Sequence, residues 1–322
     1  MRLGRGGKSA FFFFYFFFFC IEKTYSFNVI RFCRGIMDRK NLETGLLQLI
    51  MKAETEIPPD VIAALKRAFL VETGAAQVQL EGMLANVEMA KKKRCPMCQD
   101  TGILTFFVNI GTEFPAVGKL KQTIEHATAR ATLEIPLRPN TVDPMTSTNH
   151  GDNLGSYLPH ILWDFELGDA VHIMVLPKGS GSENMSALGM LSPSAGLEGV
   201  KKFVVDTVKK AGGRPCPPIV VGVGIGGSAD LVMNLGKRAL LRPVGTRHDQ
   251  NPIATLEEEL LEMINKTGIG PMGLGGKVTA LDVHVEVAHR HPASLPVGVV
   301  IQCWADRRAS MIVHKDGSWE VK

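Results

Sequence analysis

The sequence predicts a mixed α/β (α+β) chain, with an N-terminal helical segment followed by an α/β domain of short strands and helices around one site. Three observations carry this. Apolar residues recur at helical spacing through residues 42–92, and from Cys95 onward short β-rich runs alternate with Gly and Pro. The 322 residues, 45% of them hydrophobic, suffice to bury the core of one large domain or of two closely packed lobes.

In the helical segment, Pro58-Pro59-Asp60 marks a helix start, and Val61, Leu65, Ala68 and Phe69 follow at helical spacing. A further helix carries Val78, Leu80, Met83, Leu84 and Val87 and ends in the basic run 91–94. Cations there suit the negative end of a helix dipole and need no binding role. Strands are expected at 104–110, 171–176, 219–223, 278–287 and 297–303, and helices at 119–132, 197–210, 229–240 and 253–266. Residues 139–156 and 177–196, rich in Asn, Gly, Ser and Pro, are expected to be loops of the kind that form binding sites.

Residues 1–36 do not match the rest. Residues 10–21 are nearly all Phe and follow Arg2, Arg5 and Lys8. This imitates a signal peptide, yet it is shorter than the roughly 20 apolar residues needed to span a bilayer and lacks a small-x-small cleavage site. The expectation is a leader at 1–36 outside the fold, with Met37-Asp38-Arg39-Lys40 opening a folded unit of 37–322. A signal or anchor is the alternative. The net charge of +4 is too small to argue for nucleic acid or an anionic membrane. Six cysteines without regular short spacing point to a reducing compartment, hence a cytoplasmic protein, with thiols available for metal or redox chemistry.

Cys98 opens the run Cys98-Gln99-Asp100-Thr101-Gly102, which places an amide, a carboxylate, a hydroxyl and a flexible turn in one short stretch. Its distant companions are Cys216, in Pro215-Cys216-Pro217-Pro218, and Cys303, in Gln302-Cys303-Trp304-Ala305-Asp306-Arg307-Arg308. Three such thiolates could meet at one inorganic centre and leave part of it open to a substrate. Cys95 completes a CxxC with Cys98, but no second pair exists for a zinc ribbon. A dithiol motif of the thioredoxin kind belongs between a strand and a helix, the reverse of the order here. Cys95 is therefore a bystander.

Gly222-Val-Gly224-Ile-Gly226-Gly227 fits GxGxxG, read as a turn into a helix N-terminus. The acid expected about 20 residues on is replaced by Arg238, Arg242 and Arg247, which argues against a dinucleotide. An anion at the backbone N–H groups is the surviving expectation. The loop Lys178-Gly179-Ser180-Gly181-Ser182 offers a similar cradle. Strand alternation pairs His284 with Glu286 and leaves His289 and His291 near the strand end, one of them a possible general acid/base. Asp306-Arg307-Arg308 reads as a salt-bridged strand end.

Taken in order, Cys98-Gln-Asp-Thr-Gly102, Pro136-Leu-Arg138, Lys178-Gly-Ser-Gly-Ser182, Cys216-Pro-Pro, Gly222-Val-Gly-Ile-Gly226, Asn251-Pro, Ile269-Gly-Pro-Met-Gly-Leu-Gly275 and Cys303-Trp-Ala-Asp-Arg307 form a specific set. Together they resemble the class I, iron–sulfur fumarate hydratases and the related L(+)-tartrate dehydratases, in the α subunit of the two-subunit form. The resemblance runs from about Met37 nearly to the C-terminus. It implies a [4Fe–4S] cluster on Cys98, Cys216 and Cys303, with substrate contacts from Gln99, Asp100, Arg138 and a backbone position for which Gly179 and Gly181 both qualify. Asp100 and His291 become the implied catalytic residues. This chain has Gly-Ser-Gly where single-chain members have three glycines. The implied reaction is reversible hydration of fumarate to L-malate, a step of the tricarboxylic acid cycle, with conversion of L(+)-tartrate to oxaloacetate as the alternative. A zinc- or nucleotide-binding protein is the distant one. Single-chain members carry a further domain supplying Thr, Arg and Lys to the site, so a β subunit in an α2β2 heterotetramer is implied, with no nucleic acid and no membrane as partner.

Overall fold

A computed structural model of the chain describes residues 39–322, so the expected leader and the boundary at Met37 lie outside the described residues. The helical segment resolves into α1 (Arg39–Thr55), α2 (Pro59–Val71) and α3 (Gly74–Lys93). Pro59 begins α2 at a position where its missing N–H removes no bond. The last turn of α3 carries Lys91, Lys92 and Lys93, and Arg94 caps it in the left-handed conformation.

The strands form two mixed sheets. The five-stranded sheet has the order β2-β1-β3-β8-β9 and the four-stranded sheet the order β4-β7-β5-β6. Their strands are β1 (Ile103–Gly111), β2 (His160–Glu166), β3 (Val171–Lys178), β4 (Ala187–Leu191), β5 (Ile219–Gly227), β6 (Ala280–Arg290), β7 (Leu295–Gln302), β8 (Ala309–Val313) and β9 (Trp319–Val321). Helix α4 (Val117–Glu134) follows β1, and a single turn, α5 (Ser180–Glu183), follows β3. Helix α6 (Gly196–Ala211) precedes β5, while α7 (Ala229–Ala239) and α8 (Asn251–Asn265) lie between β5 and β6.

Alternation along the strands divides the core into three. Leu104, Phe106, Val108 and Ile110 of β1 face a cluster with α1 and α4. Val221, Val223 and Ile225 of β5 and Val297, Val299 and Ile301 of β7 face α6 and α8. The opposite faces, with Phe107, Leu176, Val220 and Val300, share a third cluster with α2 and α3, which also takes in Cys98 and Cys303. Successive side chains on opposite faces, both covered, explain why these strands read as near-continuous apolar runs.

Four strands escaped the sequence reading. β2 is an edge strand whose second half is exposed on both faces, so no alternation marks it. β8 and β9 are short partners in a hairpin. The expected loop at 177–196 instead contains the end of β3, α5, β4 and a 3-10 turn over Pro193–Ala195. The 139–156 loop has turns and one isolated bridge only.

The expectation of a glycine turn at 222–227 needs correction, because these residues form the buried strand β5 itself. A Cβ on Gly222 would lie 2.0 Å from the Gly236 carbonyl oxygen, and one on Gly224 would lie 2.0 Å from that of Val232. The glycines are there so that α7 can lie directly on β5. Gly222→Ala should therefore push helix from strand and cost about 1–3 kcal/mol, the usual penalty of overpacking. Gly82→Ala, in the exposed middle of α3 with nothing within 4 Å, should stabilise by about 0.5–1 kcal/mol through helix propensity. Thermal unfolding midpoints of the two variants should move in opposite directions. Among the described residues, no helix is long and apolar enough to cross a membrane.

Candidate active site

Strand register brings the distant cysteines together. β5 and β7 are antiparallel with Val220 opposite Gln302, so Cys216, just before β5, and Cys303, just after β7, emerge at the same end of their sheet. The Trp304 N–H donates to the Cys216 carbonyl at 3.2 Å and ties the two segments. In the other sheet, Ile103 at the start of β1 pairs with Lys178 at the end of β3, which sets the Cys98 loop beside the 179–182 turn. The Lys178 Nζ then donates to the Ile301 carbonyl in β7 at 2.6 Å and joins the ends of the two sheets.

All three thiols are free and half-buried. Burial, with the nearby Cys98 charge adding to it, pushes the Cys216 thiol up. Burial takes Cys303 to about 11, against an opposing pull from Arg307. Cys216 sits at φ 55°, a left-handed conformation that costs a non-glycine residue energy and is doubly unusual before a proline. Strain of this kind clusters at functional sites.

Asp100 is the hub between the loops. Its Oδ1 accepts from the Gly102 N–H at 3.0 Å, and its Oδ2 accepts from the Ser180 N–H at 2.7 Å and the Ser180 hydroxyl at 2.9 Å. Close approach is what requires glycine at two positions here. A Cβ on Gly102, at φ +74°, would lie 2.4 Å from the Lys178 carbonyl, and one on Gly179 would lie 2.9 Å from the Asp100 carboxylate. Behind this frame, the fully buried Arg307 donates to Glu54 at 2.6 Å and to the Asp100 carbonyl at 3.0 Å. Burial pushes Glu54 up to about 7, opposed by Arg307. Arg308 pairs with Asp60 and Asp306. The expected strand-end salt bridge is therefore a buried network that fastens the Cys303 loop to α1 and α2.

A cavity of about 520 Å³ opens beside Asp100, lined by Asn140, Tyr157, His160, Lys178 and Lys237 among others. Glu183 lies between Lys178 at 3.1 Å and Lys237 at 2.9 Å. Burial alone would raise Glu183, but the two lysines hold its carboxyl below the usual range. Burial lowers both Lys178 and His160.

No three His, Cys, Asp or Glu side chains among the described residues form a group that could hold a single metal ion. A four-iron cube makes a different demand, since its thiolate ligands sit at separate corners rather than on one point. The donor set fits such a cube: three free thiols at one junction, two of them coupled to the charge of the buried Arg307, whose Nε–H has no acceptor.

Comparison with known proteins decides the family. Residues 44–312 match the family model of fumarate hydratase (fumerase). The chain belongs to the fumarate hydratase family. It is 49% identical over 276 residues to a putative L(+)-tartrate dehydratase subunit alpha of Methanocaldococcus jannaschii, covering 84% of this chain and 97% of that one. It is 39% identical over 268 residues to the L(+)-tartrate dehydratase subunit alpha of Escherichia coli O157:H7, covering 83% and 88%. As a member of this family, the chain is a hydro-lyase.

Most of the residues singled out from the sequence gather where the sheets meet. Gln99 is exposed beside Cys98 and Asp100. Arg138 is exposed, its backbone N–H bonded to the Thr101 hydroxyl at 3.1 Å, and its guanidinium has no ion pair among the described residues. Of the two glycines, Gly179 touches Asp100, whereas a Cβ on Gly181 would meet nothing nearer than 3.5 Å.

His291 is not brought to the cysteines of its own chain. It precedes β7 while Cys303 follows it, and a strand of that length separates them by roughly 23 Å at about 3.3 Å per residue. His291 is exposed, its Nδ1 accepting from the Ala293 N–H at 3.1 Å. His284 is a core residue that bonds Asp282 at 3.1 Å, while Glu286 turns to Arg242, so the expected His284–Glu286 pair does not form. Sequence reading took the 178–182 loop as a backbone cradle, gave the Lys178 side chain and Glu183 no role, and passed over Lys237 and His160. A lysine ending the apolar run of β3 was the available signal, since a buried cation needs named partners.

Proposed function

We propose that this chain is the α subunit of a two-subunit [4Fe–4S] hydro-lyase acting on C4 dicarboxylates, by reversible hydration of fumarate to L-malate. The observation carrying this is the convergence of Cys98, Cys216 and Cys303 beside the pinned Asp100 carboxylate. When bound by these three cysteines, the cluster supplies a Lewis-acidic iron for the substrate hydroxyl.

The chain's own residues do the rest. Arg138, with no competing ion pair among the described residues, offers a planar fork for one substrate carboxylate. Gln99 and the backbone at Gly179 fix the other end. Three donors hold Asp100 in a single orientation, so it can take part in moving the proton on the carbon next to the hydroxyl. The cavity shares Asp100 and Ser180 with this site, but none of the three cysteines, Gln99 or Arg138 lines it. No step is assigned to His291 within the chain's own site. The relatives are named subunit alpha, and we infer a β subunit, in an α2β2 assembly, that contributes further cationic and hydroxyl groups. A cluster held by cysteine thiolates suits the reducing cytoplasm.

A second reading is favoured by the relatives' names, namely dehydration of L(+)-tartrate. The two substrates differ by one hydroxyl, and a site built to hydrogen-bond a hydroxyl rejects the analogue lacking it by up to about 10⁴–10⁵-fold. Turnover of fumarate, malate and L(+)-tartrate by the anaerobic complex should favour the fumarate–malate pair. Preference for tartrate would assign the second reading, and no turnover of any of the three would remove both.

A further inference from the structure

Arg307 is the largest fully buried side chain described, and its contacts are unevenly satisfied. Its Nη1 donates to the Glu54 carboxylate and its Nη2 to the Asp100 carbonyl, in the loop that carries Cys98. Its backbone N–H donates at 2.8 Å to the Ala305 carbonyl, the same oxygen that the Cys303 thiol approaches at 3.7 Å. Arg307 therefore fastens both loops, yet its Nε–H is buried with no acceptor. An unmet buried donor costs about 1–3 kcal/mol, and native proteins rarely leave one without a reason. A merely structural arginine would be expected to have all three sides of its fork satisfied by protein. This one leaves its Nε–H side unsatisfied, and its charge is coupled to both Cys98 and Cys303.

We infer that Arg307 is a positioning residue for the cluster, donating its Nε–H to sulfur and setting the cluster's reduction potential through its buried charge. The inference rests on the cluster reading above. Hydrogen bonds to sulfur and nearby positive charge both stabilise the more negative, reduced cluster. Glu54, on the far side of the guanidinium, partly cancels that charge. The ion pair is then a two-part setting, in which each half pulls the potential in the opposite direction.

The test is an EPR-monitored redox titration of the anaerobic complex of full-length chain and β subunit, at about pH 8.5, where Glu54 is ionised. Made in the Glu54→Gln background, where no unpaired carboxylate can take up a proton and cancel the change, Arg307→Gln should lower the midpoint by at least a tenfold change in the reduced-to-oxidised ratio, about 59 mV for one electron. Glu54→Gln keeps an acceptor for the Nη1 donor and removes only the negative charge, so it should raise the midpoint. Opposite signs are the signature, because a strut that only held the loops would move both variants the same way or neither. An unchanged midpoint in Arg307→Gln, or shifts of the same sign, would overturn the inference. If Arg307→Gln does not fold, Glu54→Gln decides alone, an upward shift supporting the inference and no shift overturning it. A wild-type complex with no cluster signal would instead sink the reading on which the inference rests.

Discussion

Asp100→Asn is expected to lower turnover about 100-fold while leaving the cluster absorption of the complex unchanged. That is the lower end of the range for a group moving a proton, and it corresponds to about 2.7 kcal/mol of transition-state stabilisation. The magnitude follows from two effects at one atom. The substitution removes the carboxylate charge, and it replaces one acceptor oxygen by an N–H2 group facing the donors of Gly102 and Ser180. The second effect can be measured apart from the first. Ser180→Ala deletes only the hydroxyl donor and keeps the backbone N–H, so it should cost between a few-fold and about tenfold, the worth of one hydrogen bond. Steady-state assays of both variants, alongside visible spectra, distinguish the cases. Equal losses would make Asp100 a loop anchor rather than a participant in proton transfer, and unchanged turnover in Asp100→Asn would remove it from the mechanism.

The structure also explains what could be read in advance. The strands with both faces covered, such as β5 and β7, were legible because nearly every residue is apolar. β2 was not, because its exposure follows from its place at the sheet edge, which no local pattern encodes. The glycines at 222 and 224 were legible as a motif but not as a cause. Only the position of α7 shows that they admit a helix rather than an anion. At the site, the cysteine loops and Asp100 were legible because their neighbours are chemically distinctive. The pairing of Glu54 with Arg307 was not, since the two lie 253 positions apart in the chain and their contact depends on the folded chain. His291 was singled out through the resemblance alone, and the extended strand between it and Cys303 places the two at opposite ends of a sheet within this chain.

The cysteines carry the largest expected effect. Cys216→Ser preserves the size of the side chain and its strained backbone position, but exchanges a thiolate suited to iron for a hydroxyl that stays protonated at neutral pH. The same change at Cys98 or Cys303 removes a ligand from the other two loops. Each variant should lose both the cluster and all measurable hydration, whereas Cys95→Ser, outside the set, should lose neither. If the proposed cluster is held by three loops from two sheets, one lost ligand weakens the hold of the other two, so intermediate iron contents are not expected. The deciding measurement is the iron and acid-labile sulfide content of the anaerobically reconstituted complex, in the wild type and in the four variants. About four of each per chain in the wild type and in Cys95→Ser, with neither retained in the other three, is the predicted result. A single zinc in the wild type, or full iron and sulfide in Cys216→Ser, would contradict it.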